Sequence, residues 1–220
     1  MRVINLHPWH NSPSAAKKIQ AKLRKKVETD RPIGKINLIA AADASFRNNY
    51  AYAAVAVFTY PDLELKEVQT GKAKLRFPYI PGLLTFREGP VLMKAFKKIK
   101  SEPDVIIFDG QGIAHPQRMG IATHMGILLD RPTIGCAKSK LVGNYHEPGK
   151  EKGRFSNLYL DGEIVGAALR TRTGAKPVFV SSGYKIDLPS AIKIIRACSK
   201  AYRIPEPIRF VHITCSKSSK

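Results

Sequence analysis

The sequence predicts an α/β fold built on one mixed central sheet, three antiparallel strands followed by parallel ones, with helices flanking it. Three observations carry this. Between residues 36 and 68 three apolar or alternating runs follow one another with only turn signals between them, Asn48-Asn49 and Pro61-Asp62, which is a meander of antiparallel strands. After residue 82, runs with helical spacing alternate with short apolar runs, the order that lays parallel strands side by side under helices. The composition, 44% hydrophobic over 220 residues, supports a sizeable core in a single domain spanning 1–220.

In chain order, Ser12 before Pro13 reads as an N-cap and a helix-opening proline. Ile19, Leu23 and Val27 recur four apart, so a basic amphipathic helix is expected over 13–28. Strands are expected over 36–46, 51–59 and 63–68. Leu84, Glu88, Leu92 and Phe96 mark one side of a helix over 83–100, where Pro90 is tolerable in the first turns or at a kink. Residues 104–108 read as a short apolar strand, 121–129 as a helix and 133–137 as a strand. Asp161-Gly162 is a hairpin turn between two strand-like runs. A further strand is expected over 177–180 and a helix over 189–202, with Ala191, Ile194, Ile195 and Cys198 on its apolar side. From Pro205 the tail reads as strand-like or irregular up to a polar end at 216–220. Three antiparallel strands, then helix, strand, helix, strand, is the order of a ribonuclease H-like fold, whose first and fourth strands lie side by side.

The charge points to a partner. Lys plus Arg number 37 against 17 Asp plus Glu, a net +20, which is the electrostatic footprint of nucleic-acid binding. The excess falls in three clusters, around Lys17 to Lys26, Lys94 to Lys100 and Lys138 to Arg154, and any one alone reads equally as a solvated face. No membrane partner is expected, since the longest nearly uncharged apolar run, 51–60, is short of the ~20 residues of a span. Cys136, Cys198 and Cys215 are odd in number and share no CxxC spacing, against a disulfide framework or a zinc ribbon. A reducing, cytoplasmic compartment is expected, without an export signal, and a monomer.

Acids are scarce, so two that end apolar runs need a reason. Asp43 ends the run from Leu38 to Ala42, and Asp109 follows Val105 to Phe108 and precedes Gly110. In the expected fold these ends meet, and two adjacent carboxylates repel unless a divalent cation lies between them; hard oxygen ligands suit Mg²⁺ or Mn²⁺. Local sequence accommodates an alternative, Asp43 capping a turn and Asp109 forming an Asx turn. Glu88 falls near a helix start, where the helix dipole welcomes an acid anyway. His212, within Phe210-Val211-His212-Ile213, fits an ordinary core or edge position as well as a site, and Lys138, after the strand 133–137, fits a solvated loop or a phosphate contact. Gly110, Gly112 and Gly120 offer bare main-chain N–H groups for a flat ligand or phosphate, or simple turns.

Taken together the residues resemble the endonuclease V family over nearly the whole chain. The most specific segments are Phe77-Pro78-Tyr79-Ile80-Pro81-Gly82-Leu83-Leu84-Thr85-Phe86-Arg87-Glu88-Gly89-Pro90, Asp109-Gly110-Gln111-Gly112-Ile113-Ala114-His115-Pro116 and Gly120-Ile121-Ala122-Thr123-His124-Met125-Gly126. The resemblance implies a ribonuclease H-like fold and a Mg²⁺- or Mn²⁺-dependent repair endonuclease. Its expected partner is DNA containing deoxyinosine, cut one nucleotide 3′ of the lesion to leave a 3′-hydroxyl and a 5′-phosphate. It makes Asp43 and Asp109 metal ligands, with Glu88 completing the acidic cluster, His212 assisting beside the metal and Lys138 on the scissile phosphate. Pro78, Tyr79, Ile80 and Pro81 would form a strand-separating wedge, and Gly82, Leu84, Gly110, Gly112, His115 and Gly120 a pocket for the flipped base. The chain departs from the family at Ala41-Ala42, often Gly-Val, and at Ser181-Ser182-Gly183-Tyr184, where many members have Ser-Pro-Gly-His, so no role of that family histidine carries over. An endonuclease of the same family directed at inosine-containing RNA, and a non-catalytic basic nucleic-acid-binding protein on the same fold, are the alternatives.

Overall fold

The computed structural model describes residues 1–9 and 12–218; Ser219 and Lys220 of the expected polar end lie outside them. The elements are α1 (Pro13–Arg24), β1 (Leu38–Arg47), β2 (Tyr50–Thr59), β3 (Leu65–Lys74), α2 (Leu84–Phe96), β4 (Val105–Phe108), α3 (Ile121–Leu129), β5 (Thr133–Ala137), β6 (Phe155–Leu160), β7 (Glu163–Leu169), β8 (Val178–Tyr184), α4 (Leu188–Ala197) and α5 (Glu206–Ser218). They build one mixed sheet in the order β3-β2-β1-β4-β5-β8-β7-β6. β1 pairs antiparallel with β2 and parallel with β4, so the first and fourth strands are neighbours as expected.

Strand alternation sorts the core into two layers. Ile39 and Ala41 of β1, with Val105 and Ile107 of β4, pack under Ile194 and Ile195 of α4 and Ile208 and Val211 of α5. Ala40 and Ala42, with Ile106 and Phe108, pack under Leu92 and Phe96 of α2 and Met125 and Leu128 of α3. The alanines of β1 leave room for close helix approach. At Gly71 of β3 the approach is tighter still, because a Cβ there would stand 2.7 Å from the Val91 carbonyl of α2. The N-terminal segment straps α2 to α3: His7 Nε2 meets His124 Nε2 at 2.7 Å, and Trp9 lies against Gly89.

Three expectations are corrected. The tail after Pro205 is helix, not strand: Ile208, Val211 and Cys215 recur at three and four residues and bury one face against β1 and β2, while Glu206 favours the helix N-terminus. β3 continues to Lys74, well past the expected end at residue 68, because an edge strand needs only one buried face and its polar half still pairs with β2. The helices expected over 13–28, 83–100 and 189–202 close earlier, at Arg24, Phe96 and Ala197, although Val27, Ile99 and Cys198 beyond those ends still pack against the core.

A candidate metal centre at the end of the parallel strands

Register brings the two aspartates together. Ala42 pairs with Phe108 in the parallel β1–β4 ladder, and the Asp109 N–H still donates to the Ala42 carbonyl at 3.3 Å, so Asp43 and Asp109 are the next residues of adjacent strands. Both follow the alternation toward the α5 face, and α5 supplies His212, whose Nδ1 lies 2.7 Å from Asp43 Oδ2. Asp43, Asp109 and His212 each present a donor atom within 4.8 Å of the others, a set that can hold a metal ion. Cys215, one turn beyond His212, points its Sγ at Asp43 Oδ2 from 3.8 Å. Burial and the adjacent Asp43 charge push that thiol up to about 12, so it remains a neutral neighbour.

Glu88 approaches from the other face of the sheet. It is the fifth residue of α2, beyond the first turn, so the helix dipole does not account for it. Burial, then the charges of Asp43 and Asp109, push its carboxyl well above the usual range. Asp43 is pushed up as well, by burial and by Asp109, against the opposing bonds from His212 and the Ala44 N–H. Glu88 has no hydrogen-bond partner among the described residues. Asp43, Asp109 and the His212 imidazole form the close donor set, with Glu88 outside it but within reach of the charges of both aspartates, and the set fits a divalent cation by the chemistry of the donors: hard oxygens whose mutual repulsion a cation relieves. Lys138, after β5, reaches Asp109 Oδ2 at 2.6 Å and remains 41% exposed, so its charge faces both the carboxylate and solvent.

Beside the acids opens a cavity of about 290 Å³ lined by Tyr79, Ile80, Pro81, Gly82, Leu84, Asp109, Gly110 and Lys138. Tyr79 stands on its rim 67% exposed. Gln111, Ser139, Lys140 and Leu141 line it too, Lys140 belonging to the third basic cluster and Gln111 to the Gly-Gln-Gly segment, while nothing in the sequence marks the side chains of Ser139 and Leu141 for a site. Gln111 Nε2 donates to the Ser139 carbonyl at 3.0 Å and closes one wall.

Gly112, His115 and Gly120, expected in the base pocket, do not line this cavity; they sit behind it. A Cβ at Gly112 would collide with the Ser182 carbonyl of β8, and one at Gly120 with the carbonyls of Gln111 and Gly112. Their bareness serves backbone stacking, and Ser181 Oγ accepts the Gly112 N–H at 2.8 Å, which gives the divergent Ser181-Ser182 segment a bracing role. Burial lowers His115 to about 4, so it is neutral. Its Nε2–H donates to the Gly82 carbonyl at 2.9 Å, and Nδ1 accepts from the Gln117 N–H at 3.1 Å, fixing the turn of Gly82 from behind. Arg203 holds the other wall, its guanidinium donating to the carbonyls of Lys138 and Pro177.

Among the described residues no helix is long and apolar enough to cross a membrane. A family model described as Endonuclease V matches residues 18–213. An endonuclease V of Methanothrix thermoacetophila is 50% identical over 220 residues, 100% of this chain and 98% of that protein. The crystal structure of Bacillus subtilis endonuclease V superposes with a TM-score of 0.94 at 32% identity, covering 99% of this chain and 97% of that one. A Ciona intestinalis endonuclease V, in complex with a 23-mer DNA containing an inosine followed by a ribo-adenosine, superposes with a TM-score of 0.81 at 30% identity over 94% of this chain and 96% of that one.

Proposed function

The chain belongs to the endonuclease V family, and from that premise we propose that it is an inosine-directed repair endonuclease. On this reading it hydrolyses the phosphodiester one nucleotide 3′ of deoxyinosine, leaving a 3′-hydroxyl and a 5′-phosphate. The observation that carries the reading is the convergence of Asp43, Asp109 and His212 within 4.8 Å beside a cavity whose rim bears an exposed tyrosine.

Asp43 and Asp109 would hold Mg²⁺, or Mn²⁺ in its place, with Glu88 as the third carboxylate. The chemistry such a cation supplies when bound is activation of water and neutralisation of charge on the phosphate. His212 is oriented by its Nδ1 bond to Asp43, which leaves Nε2 at the exposed side of the ring to take or give a proton at the phosphate. Lys138 would exchange Asp109 for a phosphate oxygen. Pro78, Tyr79, Ile80 and Pro81 would enter the base stack, with Tyr79 filling the gap the lesion leaves. Gly82, Leu84 and Gly110 would receive the hypoxanthine, their main-chain amides near its O6 and N7 acceptors, while Gly112, His115 and Gly120 hold that wall from behind. Action as a monomer is part of the proposal, and three buried free thiols agree with a reducing, cytoplasmic setting.

An RNA-directed activity is the second reading, favoured by one fact: the Ciona intestinalis relative was captured on a strand whose inosine is followed by a ribonucleotide. The test is cleavage of end-labelled strands with one inosine, as single-stranded DNA, duplex DNA and RNA, with Mg²⁺ and with chelator. A Mg²⁺-dependent cut one nucleotide 3′ of inosine is expected, and comparing the strands ranks DNA against RNA. Cutting indifferent to inosine, or undiminished in chelator, contradicts the proposal, and no cutting of any strand leaves the binding protein.

A further inference from the structure

α2 has a second working face. Leu84 and Glu88, four residues apart, turn toward the acidic site, whereas Phe86, Pro90, Met93 and Lys97 recur at four, three and four residues along another side. That other side borders a separate cavity of about 490 Å³, within the ~300–1,000 Å³ of small-ligand sites. It shares no lining residue with the cavity at Asp109, and the connection between β3 and α2, which carries Tyr79 at its exposed crest, contributes to both. Trp9, Phe77 and Pro90 supply apolar surface, and Lys74, Lys94 and Lys97 stand at the edge. None of these three lysines forms an ion pair among the described residues. Lys94 Nζ is committed to the Lys72 carbonyl at 3.2 Å, but Lys74 and Lys97 carry no such bond. The root of the loop is fixed: Arg87 Nη1 donates to the Phe77 carbonyl at 2.8 Å, and its guanidinium lies 4.5 Å over the Phe46 ring.

An aromatic and apolar hollow edged by unpaired cations is the chemistry that receives an unstacked base and its phosphates. If Tyr79 parts a duplex and the inosine strand enters on the Asp109 side, the nucleotide that faced inosine loses its partner at the same crest. We propose that this second cavity receives that orphaned nucleotide of the opposite strand, its base against Trp9, Phe77 and Pro90 and its flanking phosphates on Lys74 and Lys97. The proposal rests on the inosine-nuclease reading. It gives the wedge two receiving sides, so that the enzyme holds both strands of an opened duplex.

The experiment measures binding in chelator of three probes: a single-stranded inosine oligonucleotide, the same strand in duplex, and that duplex with an abasic site opposite the inosine. Relative to Ala73→Leu, which cancels the unpairing cost that an abasic site spares, the parent protein is expected to favour the intact duplex over the abasic-opposite duplex by roughly fivefold or more, the lower end of what base–aromatic stacking supplies. Lys74→Gln/Lys97→Gln, two exposed changes, should reduce the slope of log K against log salt on duplex by about 1.8, near 0.9 per phosphate contact, and leave single-strand binding unchanged. Ala73→Leu, which narrows the cavity without touching charge, should lower the preference for intact over abasic-opposite duplex to what the unpairing cost alone sets, and a preference equal to the parent's would overturn the proposal. Equal weakening on single strand and duplex would make the lysines a general basic surface and overturn the proposal. So would no change, which would leave them as covers of the β3 edge. A duplex with adenine in place of inosine serves as the control: if the parent does not distinguish the inosine duplex from it, the underlying reading fails; if it does, and only the opposite-strand effects are missing, this inference alone fails.

Discussion

Two glutamates on neighbouring elements are treated in opposite ways. Glu67, on β3, accepts the Lys100 N–H at 3.0 Å, the Ser101 N–H at 2.9 Å, the Ser101 hydroxyl at 2.7 Å and the Gln69 amide at 3.3 Å. Burial alone would raise its carboxyl, but those donors overcome it and hold the group down at about 2. Glu88, on α2, is buried against Asp43 and Asp109 with no donor, and its carboxyl is pushed well up. The Glu67 region ties the end of α2 to the edge strand and spends its polar bonds on stability. The Glu88 region leaves its polar groups unsettled, the signature of a site whose missing partner is a ligand.

The comparison breaks first at Glu88. Glu88→Gln keeps the shape and removes the repelled charge, so cleavage at inosine should fall roughly 100-fold or more, as when one electrostatic group of a site is lost. The melting temperature in chelator at neutral pH should rise. The sign follows from linkage: a folded-state pKa above the unfolded value stabilises only below it, and that contribution is lost as pH rises through the folded pKa. The parent therefore carries a penalty on the alkaline side of that transition that the glutamine lacks. A melting series over pH that shows no gain for the variant would remove the strain argument.

A smaller effect is expected behind the pocket. Gly112→Ala must displace the Ser182 backbone, costing roughly 1–3 kcal/mol of stability as overpacking generally does. Cleavage and stability should fall together, by denaturant melts and initial rates. Full stability with lost inosine preference would return Gly112 to the pocket wall.

The smallest change is at Glu67. Glu67→Gln should cost about 1 kcal/mol at pH 7, less than the ~1.5–3 of buried charged bonds because water screens it, and leave cleavage intact. Here the folded pKa is depressed, so the stability is present above the unfolded value near 4.5 and disappears as pH falls through about 2. Parent and variant melts should converge in acid; a constant gap would show that packing, not charge, is lost.

What could be read beforehand follows the same division. β1 and β4 were legible with their acids, because the apolar runs Leu38 to Ala42 and Val105 to Phe108 end abruptly in Asp43 and Asp109, and α3 and β5 match to the residue. α5 was not, since Phe210, Val211, His212 and Ile213 alternate locally like a strand and two prolines suggest a break, although Ile208, Val211 and Cys215 hold the helical stripe. Gly112 and Gly120 are ambiguous for a different reason: a base wall and a close backbone crossing both demand glycine, and the crossings, of Gly112 with Ser182 on β8 and of Gly120 with Gln111 and Gly112, form only in the folded chain. The second cavity was equally unreadable, because Lys74, Lys97, Trp9 and Phe77 meet only through the pairing of β3 and the docking of the N-terminal segment.

The most direct test of the acidic site as a metal centre needs no nucleic acid. Mn²⁺ should be titrated calorimetrically, and melting temperature followed over the same range, for the parent protein, Asp43→Asn and Glu67→Gln. The parent should bind Mn²⁺ and melt at higher temperature as the cation is raised, as binding to the folded state alone requires. Glu67→Gln should behave like the parent, and Asp43→Asn should lose both responses. Mn²⁺ binding by Asp43→Asn equal to that of the parent would contradict a metal centre built on Asp43 and Asp109.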